Sequence, residues 1–361
     1  MIRVLIVDDS PFVCRLLSGH LNSAEDIEVV ATAYSGKRAL TKITELNPDV
    51  VTLDQSMPGM NGVEALERIM HEHPTPVVMI SGVSRKSAIL TRQALQIGAV
   101  DFVLKYTPGA DTHPDELRHE IVSKVRAASQ VKVIRSIRRR QEGENTPPPA
   151  PRRIRKPPEV VKPAYKSFVS GGVVVIGSST GGPVALRELL AGLPADFPAA
   201  ILIVQHMPAS FTDVLAEQLN RHTMLPVTEA AAGNQLKAGI VYVAPGDQHL
   251  LIDSGSRVQL NRGPKIRGHR PAIDVTMQSV AQLYGAKTKG IVLTGMGDDG
   301  TEGMVAIKAK GGKTFAQDAE TSVVNGMPQR ARDRGAVDVV ATPLDLADHL
   351  MRSFMIYAHY R

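Results

Sequence analysis

Seven prolines fall between Glu142 and Lys166, at positions 147, 148, 149, 151, 157, 158 and 163. Proline has no backbone N–H to donate and disfavours helix in the residue before it, so this stretch cannot form a packed element. It reads as a semi-extended linker. A chain of 361 residues interrupted there has to fold as two units, each long enough to bury its own core. The division expected is a first unit at 1–126, a Pro/Arg-rich linker at 127–167 and a second unit at 168–361.

Charge follows the same division. From Arg126 to Lys166 there are 12 Lys/Arg against 3 Glu, a net charge of +9, whereas the whole chain carries +6. The two folded units are then close to neutral or mildly acidic. A basic balance confined to a linker points to a solvated segment rather than a nucleic-acid arm. The longest apolar runs, about five to seven residues, fall far short of the ~20 needed to span a bilayer. The N-terminal apolar stretch ends in Asp8-Asp9, as a strand does and a leader does not. A single Cys14 excludes a disulfide framework and a Cys-based zinc site. These features predict a cytoplasmic protein with no nucleic-acid partner and no membrane insertion.

Both units alternate strand and helix. In the first, strand-like runs lie at Arg3–Asp8, Glu28–Ala33, Val50–Asp54, Val77–Ser81 and Asp101–Lys105, with amphipathic segments between them and a helix over about Pro114–Arg140. In the second they lie at Val173–Gly177, Ala200–Gln205, Ile240–Ala244, His249–Ile252 and Gly290–Thr294, with weaker ones near Thr314–Ala316 and Val337–Val340. Regular alternation predicts α/β units with mostly parallel, doubly wound sheets. In such sheets ligands sit beyond the carboxyl ends of the strands. In the first unit Asp8, Asp9, Asp54, Ser81 and Lys105 all fall at those ends. Three carboxylates there repel one another unless a divalent cation such as Mg²⁺ lies among them. Such a cation would also hold a phosphoryl donor for attack by one Asp, and Asp54 suits that role because the loop after it exposes it. Lys105 supplies a point charge and Ser81 a hydroxyl.

The set Asp8-Asp9, Asp54-x-x-Met57-Pro58-x-x-x-Gly62, Ser81-Gly82 and Asp101-Phe102-Val103-x-Lys105 resembles the receiver domain of bacterial response regulators. The resemblance implies a flavodoxin-like fold with strand order 2-1-3-4-5 and phosphoryl transfer from a histidine kinase to Asp54. It also implies Mg²⁺ held by Asp9 and Asp54, with Asp8 acting through water, and a switch aromatic at Phe102. Tyr106 stands where the family usually has Pro.

In the second unit Gly177-x-Ser179-x-Gly181 follows a strand and precedes a helix. Small residues allow a tight turn that exposes a serine hydroxyl, and the helix N-terminus offers free N–H groups to an oxyanion. A nucleophilic Ser needs a base and an orienting acid. The unit offers His206, His222, His249 and His269. His206 ends a strand run at the edge where Ser179 lies, whereas His222 falls on a helix face and His249 and His269 could line a cleft. Asp298 and Asp299, in the loop after Gly290–Thr294, are both candidate acids. The order Ser, His, Asp differs from that of the α/β-hydrolases. Gly177–Gly182 could also serve as a phosphate loop, although it matches neither G-x-G-x-x-G nor G-x-x-x-x-G-K-S/T.

Ile176-Gly177-Ser178-Ser179-Thr180-Gly181-Gly182-Pro183, Gln205-His206-Met207-Pro208, Ala244-Pro245-Gly246-Asp247-x-His249, His269-Arg270-Pro271-x-x-Asp274 and Leu293-Thr294-Gly295-Met296-Gly297-x-Asp299-Gly300 resemble the chemotaxis methylesterase family. The resemblance implies hydrolysis of glutamate methyl esters on chemoreceptors, with methanol released, and deamidation of receptor glutamines. Ser179 would be the nucleophile, His206 the base and Asp299 the orienting acid, with Thr180 and the backbone at Met296 helping at the oxyanion. No cofactor is expected in this unit. A transcriptional regulator is the competing class, and it lacks a DNA-binding motif after the linker.

Overall fold

The structure, a computed structural model, describes residues 1–105, 114–131 and 172–358. Most of the expected linker, and any continuation of the 114 helix beyond 131, lie outside them.

The first unit runs β1 (Ile2–Val7), α1 (Pro11–Asn22), β2 (Ile27–Ala33), α2 (Gly36–Leu46), β3 (Val50–Asp54), α3 (Gly62–Glu72), β4 (Val77–Ser81), α4 (Arg85–Ile97), β5 (Asp101–Leu104) and α5 (Pro114–Ser129). Its five strands form one parallel sheet in the order β2-β1-β3-β4-β5, as the receiver resemblance implies. Alternate residues of β1 face opposite ways. Leu5 and Val7 pack with Leu40 and Ile43 of α2 and Leu66 and Ile69 of α3. Val4 and Ile6 pack with Leu17 and Leu21 of α1 and Ile121 and Val125 of α5. The helices start where the sequence supplies caps: Ser10, Ser35 and Ser84 accept backbone N–H groups, and Asn61 with Glu64 forms a capping box.

The second unit runs β6 (Val173–Ser178), α6 (Gly182–Ala191), β7 (Ala200–Gln205), α7 (Ala209–His222), β8 (Val227–Glu229), β9 (Val241–Val243), β10 (His249–Ile252) and β11 (Val258–Asn261). It continues with α8 (Ile273–Tyr284), β12 (Thr288–Val292), α9 (Thr301–Ala309), β13 (Lys313–Gln317), α10 (Gly326–Asp333), β14 (Val339–Ala341) and α11 (Pro343–Ala358). Seven strands form a parallel sheet in the order β14-β13-β12-β6-β7-β9-β8. Central β6 is buried on both faces. Val174 and Ile176 meet Leu186 and Leu189 of α6 and Leu346 and Leu350 of α11. Val173 and Val175 meet Ile273 and Met277 of α8 and Ile307 of α9. Truncating fully buried Ile176 to Ala should cost about 2–5 kcal/mol.

Three elements were not legible in the sequence. β8 has three residues, β11 alternates polar and apolar, and α10 buries only Met327, Pro328 and Ala331. The run at His249–Ile252 is a strand, but it forms an antiparallel hairpin with β11 outside the main sheet. β12 is shifted toward its N-terminus relative to the apolar run, because it includes Lys289, whose side chain is buried despite its charge.

Candidate active site and phosphoryl-acceptor pocket

Sheet order brings three distant parts of the chain together. β6 is flanked by β7 on one side and β12 on the other. Ser178 pairs with Gln205 in register, and the His206 N–H donates to the Ser178 carbonyl at 3.0 Å. Ser179 and His206 therefore leave adjacent strands side by side at the carboxyl edge. The Ser179 N–H donates to Thr294 O at 3.0 Å, which ties the serine loop to the segment after β12. The turn needs its glycines. Gly181 has φ +79°, and a Cβ on Gly182 would lie 2.0 Å from Gln205 Oε1. α6 then starts with no side-chain cap; the Gly182 N–H donates to Ser179 O at 2.8 Å and Pro183 has no N–H to offer.

The two adjacent serines have different environments. Ser178 is fully buried and donates to Gln205 Oε1 at 2.7 Å, whereas Ser179 is half-buried. Gln205 also donates to the carbonyls of Ser179 (2.9 Å) and His206 (3.2 Å). Its role escaped the sequence, although a glutamine ending an otherwise apolar strand was the available signal.

His206 Nε2 lies 2.8 Å from Asp299 Oδ2, and both side chains are almost wholly buried. Asp299 also accepts the N–H groups of Ile273 (2.8 Å), Asp274 (3.0 Å) and Gly300 (3.0 Å). It thus occupies the N-terminus of α8. Burial alone would raise its pKa, but the His206 hydrogen bond, the charge of His206 and these backbone donors outweigh it and hold the carboxylate well below its ordinary range. Asp298 points away, exposed, with Arg267 Nε 3.6 Å from it. Of the two neighbouring carboxylates only Asp299 has a bond to His206. His206 Nδ1 is buried without a hydrogen-bond partner.

The other histidines separate. His222 is exposed at the end of α7. His249 lies within 2.9 Å of Pro264 O through Nε2 and accepts the Ala272 N–H at Nδ1 (3.2 Å), so it clamps a loop rather than lining a cleft. His269 lies flat on His206, with ring centroids 3.7 Å apart and an interplanar angle of 6°. Met296 is half-buried in the loop after β12. Thr180 is buried, and its hydroxyl donates to the carboxylate of Asp101 in the first unit.

In the first unit, ligand oxygens of Asp8, Asp9 and Asp54 lie within 4.8 Å of one another. Lys105 Nζ is 2.9 Å from Asp8 Oδ2 and 2.9 Å from Asp54 Oδ1. Burial would lower the pKa of Lys105, but the two carboxylates outweigh it. Asp54, which the sequence led us to expect exposed by the loop after it, is buried at the end of β3, and its pKa is raised because burial outweighs Lys105. Its Oδ2 is buried with no hydrogen-bond partner. An all-oxygen donor set with an unpartnered carboxylate oxygen fits a hard divalent cation. Ser81 Oγ accepts from Thr91 (2.7 Å) and donates to Gln55 Oε1 (3.2 Å), while Gln55 Nε2 donates to Ser87 O (2.8 Å). The hydroxyl next to the acidic pocket is thereby wired to α4.

α4 and β5 form the face that meets the second unit. The Phe102 ring stacks on Phe211 of α7 at 4.6 Å and 14°, and Val214 joins the same apolar cluster. Arg85 forks onto Asp213 and Glu217. Lys124 of α5 lies 2.8 Å from Glu120 and 3.5 Å from Asp101. Burial alone would lower its pKa, but these carboxylates outweigh it and keep the ammonium charged.

Both units match known protein families. The CheB methylesterase family model matches residues 174–350, and the response regulator receiver domain model matches 4–118. A protein-glutamate methylesterase/protein-glutamine glutaminase from Symbiobacterium thermophilum is 42% identical, covering 98% of this chain and 97% of its own length. The protein of the same name from Thermotoga maritima is 40% identical, covering 97% of this chain and 98% of its own. The crystal structure of the Thermotoga maritima CheB methylesterase catalytic domain is 44% identical over 51% of this chain and 98% of its own, with a TM-score of 0.50. The chain therefore belongs to the CheB methylesterase family and is a protein-glutamate methylesterase/protein-glutamine glutaminase with a response-regulator receiver domain at its N-terminal side.

Proposed function

We propose that this chain demethylates glutamate methyl esters on chemoreceptors, and deamidates particular receptor glutamines, by a Ser179–His206–Asp299 mechanism gated by phosphorylation of Asp54. The observation that carries the reading is His206, bonded through Nε2 to a carboxylate held at a helix N-terminus, with Nδ1 unpartnered and its backbone N–H on Ser178, the residue before Ser179. In the neutral ring Nε2–H donates to Asp299, which leaves the Nδ1 lone pair as the base.

Nδ1 takes the Ser179 proton as Oγ attacks the ester carbonyl carbon. Negative charge develops on the carbonyl oxygen, near Thr180, the Met296 backbone and the start of α6. The imidazolium then gives its proton to the departing methoxide oxygen. Methanol leaves, and an acyl-serine remains. Water, deprotonated by Nδ1, attacks the acyl carbon; the imidazolium returns that proton to Ser179 Oγ as the acyl–oxygen bond breaks, and the released glutamic acid side chain ionises by giving its proton to water. Throughout, Asp299 stabilises the imidazolium without taking its proton.

Asp8, Asp9 and Asp54 are proposed to hold Mg²⁺, which when bound would offset their mutual repulsion and hold phosphoryl oxygens. Asp54 is the acceptor from a histidine kinase, Lys105 pairs with the phosphoryl group, and Ser81 and Phe102 report it. The gate is supported by contacts between the units. The receiver places Asp101 on the Thr180 hydroxyl and Phe102 on Phe211, next to the serine loop. A phosphoryl group that draws in Ser81 would pull on its bonds to Gln55 and Thr91, and so on α4. We assign residues 1–126 to the receiver, 127–167 to a linker and 168–361 to the catalytic domain. We assign the protein to the cytoplasm, where a kinase and receptor tails would meet it. Among the described residues no helix is long and apolar enough to cross a membrane.

The test is methanol release from methylated receptor membranes, with and without a small phosphodonor and Mg²⁺. Release that is absent, or that is unchanged by phosphodonor, would sink the esterase and the gating halves respectively.

A further inference from the structure

The proposed base is fastened at one atom only. His206 bonds to Asp299 through Nε2, and Nδ1 has no hydrogen-bond partner. One hydrogen bond at one ring edge sets a distance but does not by itself fix the rotation of the ring about Cβ–Cγ. Its face is covered by His269, 3.7 Å away between centroids and within 6° of parallel.

We propose, resting on the serine mechanism above, that His269 is a positioning residue for the hydrolysis: its ring, lying flat on His206, fixes the plane of the base so that Nδ1 faces the Ser179 hydroxyl.

The loop that carries His269 is built to be rigid. Ile266 and His269 exchange backbone hydrogen bonds at 3.0 and 2.9 Å across a two-residue turn. Arg267 (φ +51°) and Gly268 (φ +82°) occupy that turn in left-handed conformations, as a primed hairpin turn requires. Arg270 forks onto Asp247 and donates to Gly263 O at 2.9 Å. Arg267 reaches Asp274 Oδ2 at 2.8 Å, and His249 holds both ends of the loop through Pro264 and Ala272. Immediately after the loop comes the N-terminus of α8, which donates to Asp299. One rigid segment thus carries both the ring on the face of His206 and the donors that hold its carboxylate partner.

The ring also suits a neighbour that becomes charged. Burial, and then the charge of His206, push His269 down to about 3, against the pull of Asp299; Lys124 of the receiver and Lys265 of its own loop push the same way. His269 therefore stays neutral when His206 carries a proton, and a neutral π face accepts an adjacent cation where a second imidazolium would repel it. Nothing in this arrangement places His269 as a base itself.

The experiment uses the full-length protein with phosphodonor, and measures methanol release as kcat and KM across about pH 5 to 9. The variants are His269→Ala and His269→Phe, with Ser179→Ala alongside and Tm for each. His269→Ala should lose on the order of 10- to 100-fold in kcat with KM held, since small misplacements of a reacting group cost that much. His269→Phe keeps a flat ring without nitrogens. It should recover most of the loss and keep a single acid limb at the wild-type position. A Phe variant as slow as the Ala variant, both melting as wild type, would overturn the proposal, because the ring nitrogens rather than the flat contact would then matter. An Ala variant as fast as wild type, or slowed through KM alone, would overturn it too. Should the Ala variant fail to fold, the Phe variant alone decides. Turnover surviving in Ser179→Ala would instead strike the serine mechanism on which the proposal rests.

Discussion

Asp54 and Asp299 are two buried carboxylates at the carboxyl edges of two parallel sheets, and their surroundings give them opposite chemistry. Asp54 is 1% exposed and Asp299 2%, so burial does not separate them. Asp54 meets Lys105 and two further carboxylates, and one of its oxygens has no hydrogen-bond partner. Burial prevails, and its pKa rises. Asp299 meets His206 and three backbone N–H groups, and its pKa falls. A carboxylate saturated with donors is stabilised and serves to orient another group. One left partly unpaired remains available to attack or to bind a cation. The number of donors, rather than depth, separates the directions of their pKa shifts.

The comparison is most easily broken at the serine edge. Ser179→Ala should lower methanol release by at least about 10³-fold with the fold intact. Ser178→Ala should retain much of the activity and instead lose about 1–3 kcal/mol of stability, because Gln205 Oε1 is left unpaired. If Ser178 is the essential residue, the assignment of the half-buried Ser179 is wrong.

Next in size is the acid. Asp299→Asn should reduce turnover by about 10²–10⁴-fold by disturbing the His206 tautomer, with Asp298→Asn mild. Equal losses would mean that the bond to His206 does not carry the orienting role. The same pair predicts opposite pH behaviour. Asp299 has a folded-state pKa below its unfolded value, so its contribution to stability is present above the unfolded pKa and is lost as pH falls through the folded one. Asp54 has a raised folded-state pKa, so stability falls as pH rises from its unfolded toward its folded value. Melting curves from acid to neutral pH should show Asp299→Asn flattening the acid loss. Without Mg²⁺, Asp54→Asn should raise Tm near neutrality. A lower Tm there would show that the Lys105 pair outweighs burial.

A smaller change is expected at the gate. A fragment from about residue 168 onward lacks the receiver and should exceed the unphosphorylated full-length protein in methanol release. It should also ignore phosphodonor, whereas full-length Asp54→Asn should keep only basal activity. A fragment no faster than the full-length protein would mean that the receiver does not inhibit by covering the serine loop. The smallest effect belongs to Arg85→Ala. Its pairs with Asp213 and Glu217 are largely exposed and screened by solvent, so basal activity should rise by no more than about fivefold. A rise as large as that of the fragment would place most of the closure energy in this one fork.

The strands that carry function were legible because buried parallel strands read as short continuous apolar runs. The polar residue ending each run, Asp54, Ser81 or His206, stood out against its own strand. Less of the surrounding support could be read. Gln205 was visible only as part of a motif, and its three bonds depend on β6 lying beside β7. β8 and α10 lacked the length or periodicity to announce themselves. Asp101 was visible as part of the receiver motif, but its bond to Thr180 depends on the second unit packing against the first.

By itself the sequence determined two α/β units, the order of their strands and helices, and the set of polar residues delivered to each carboxyl edge, because these depend on local periodicity and chain order. Only the tertiary structure put Asp299 and not Asp298 on His206, gave His269 its place on His206, and put Asp101 on the Thr180 hydroxyl. Each of those depends on which way a side chain points once elements far apart in the chain share a packed edge. A one-residue step along a loop reverses that direction while barely changing the pattern from which the fold was read.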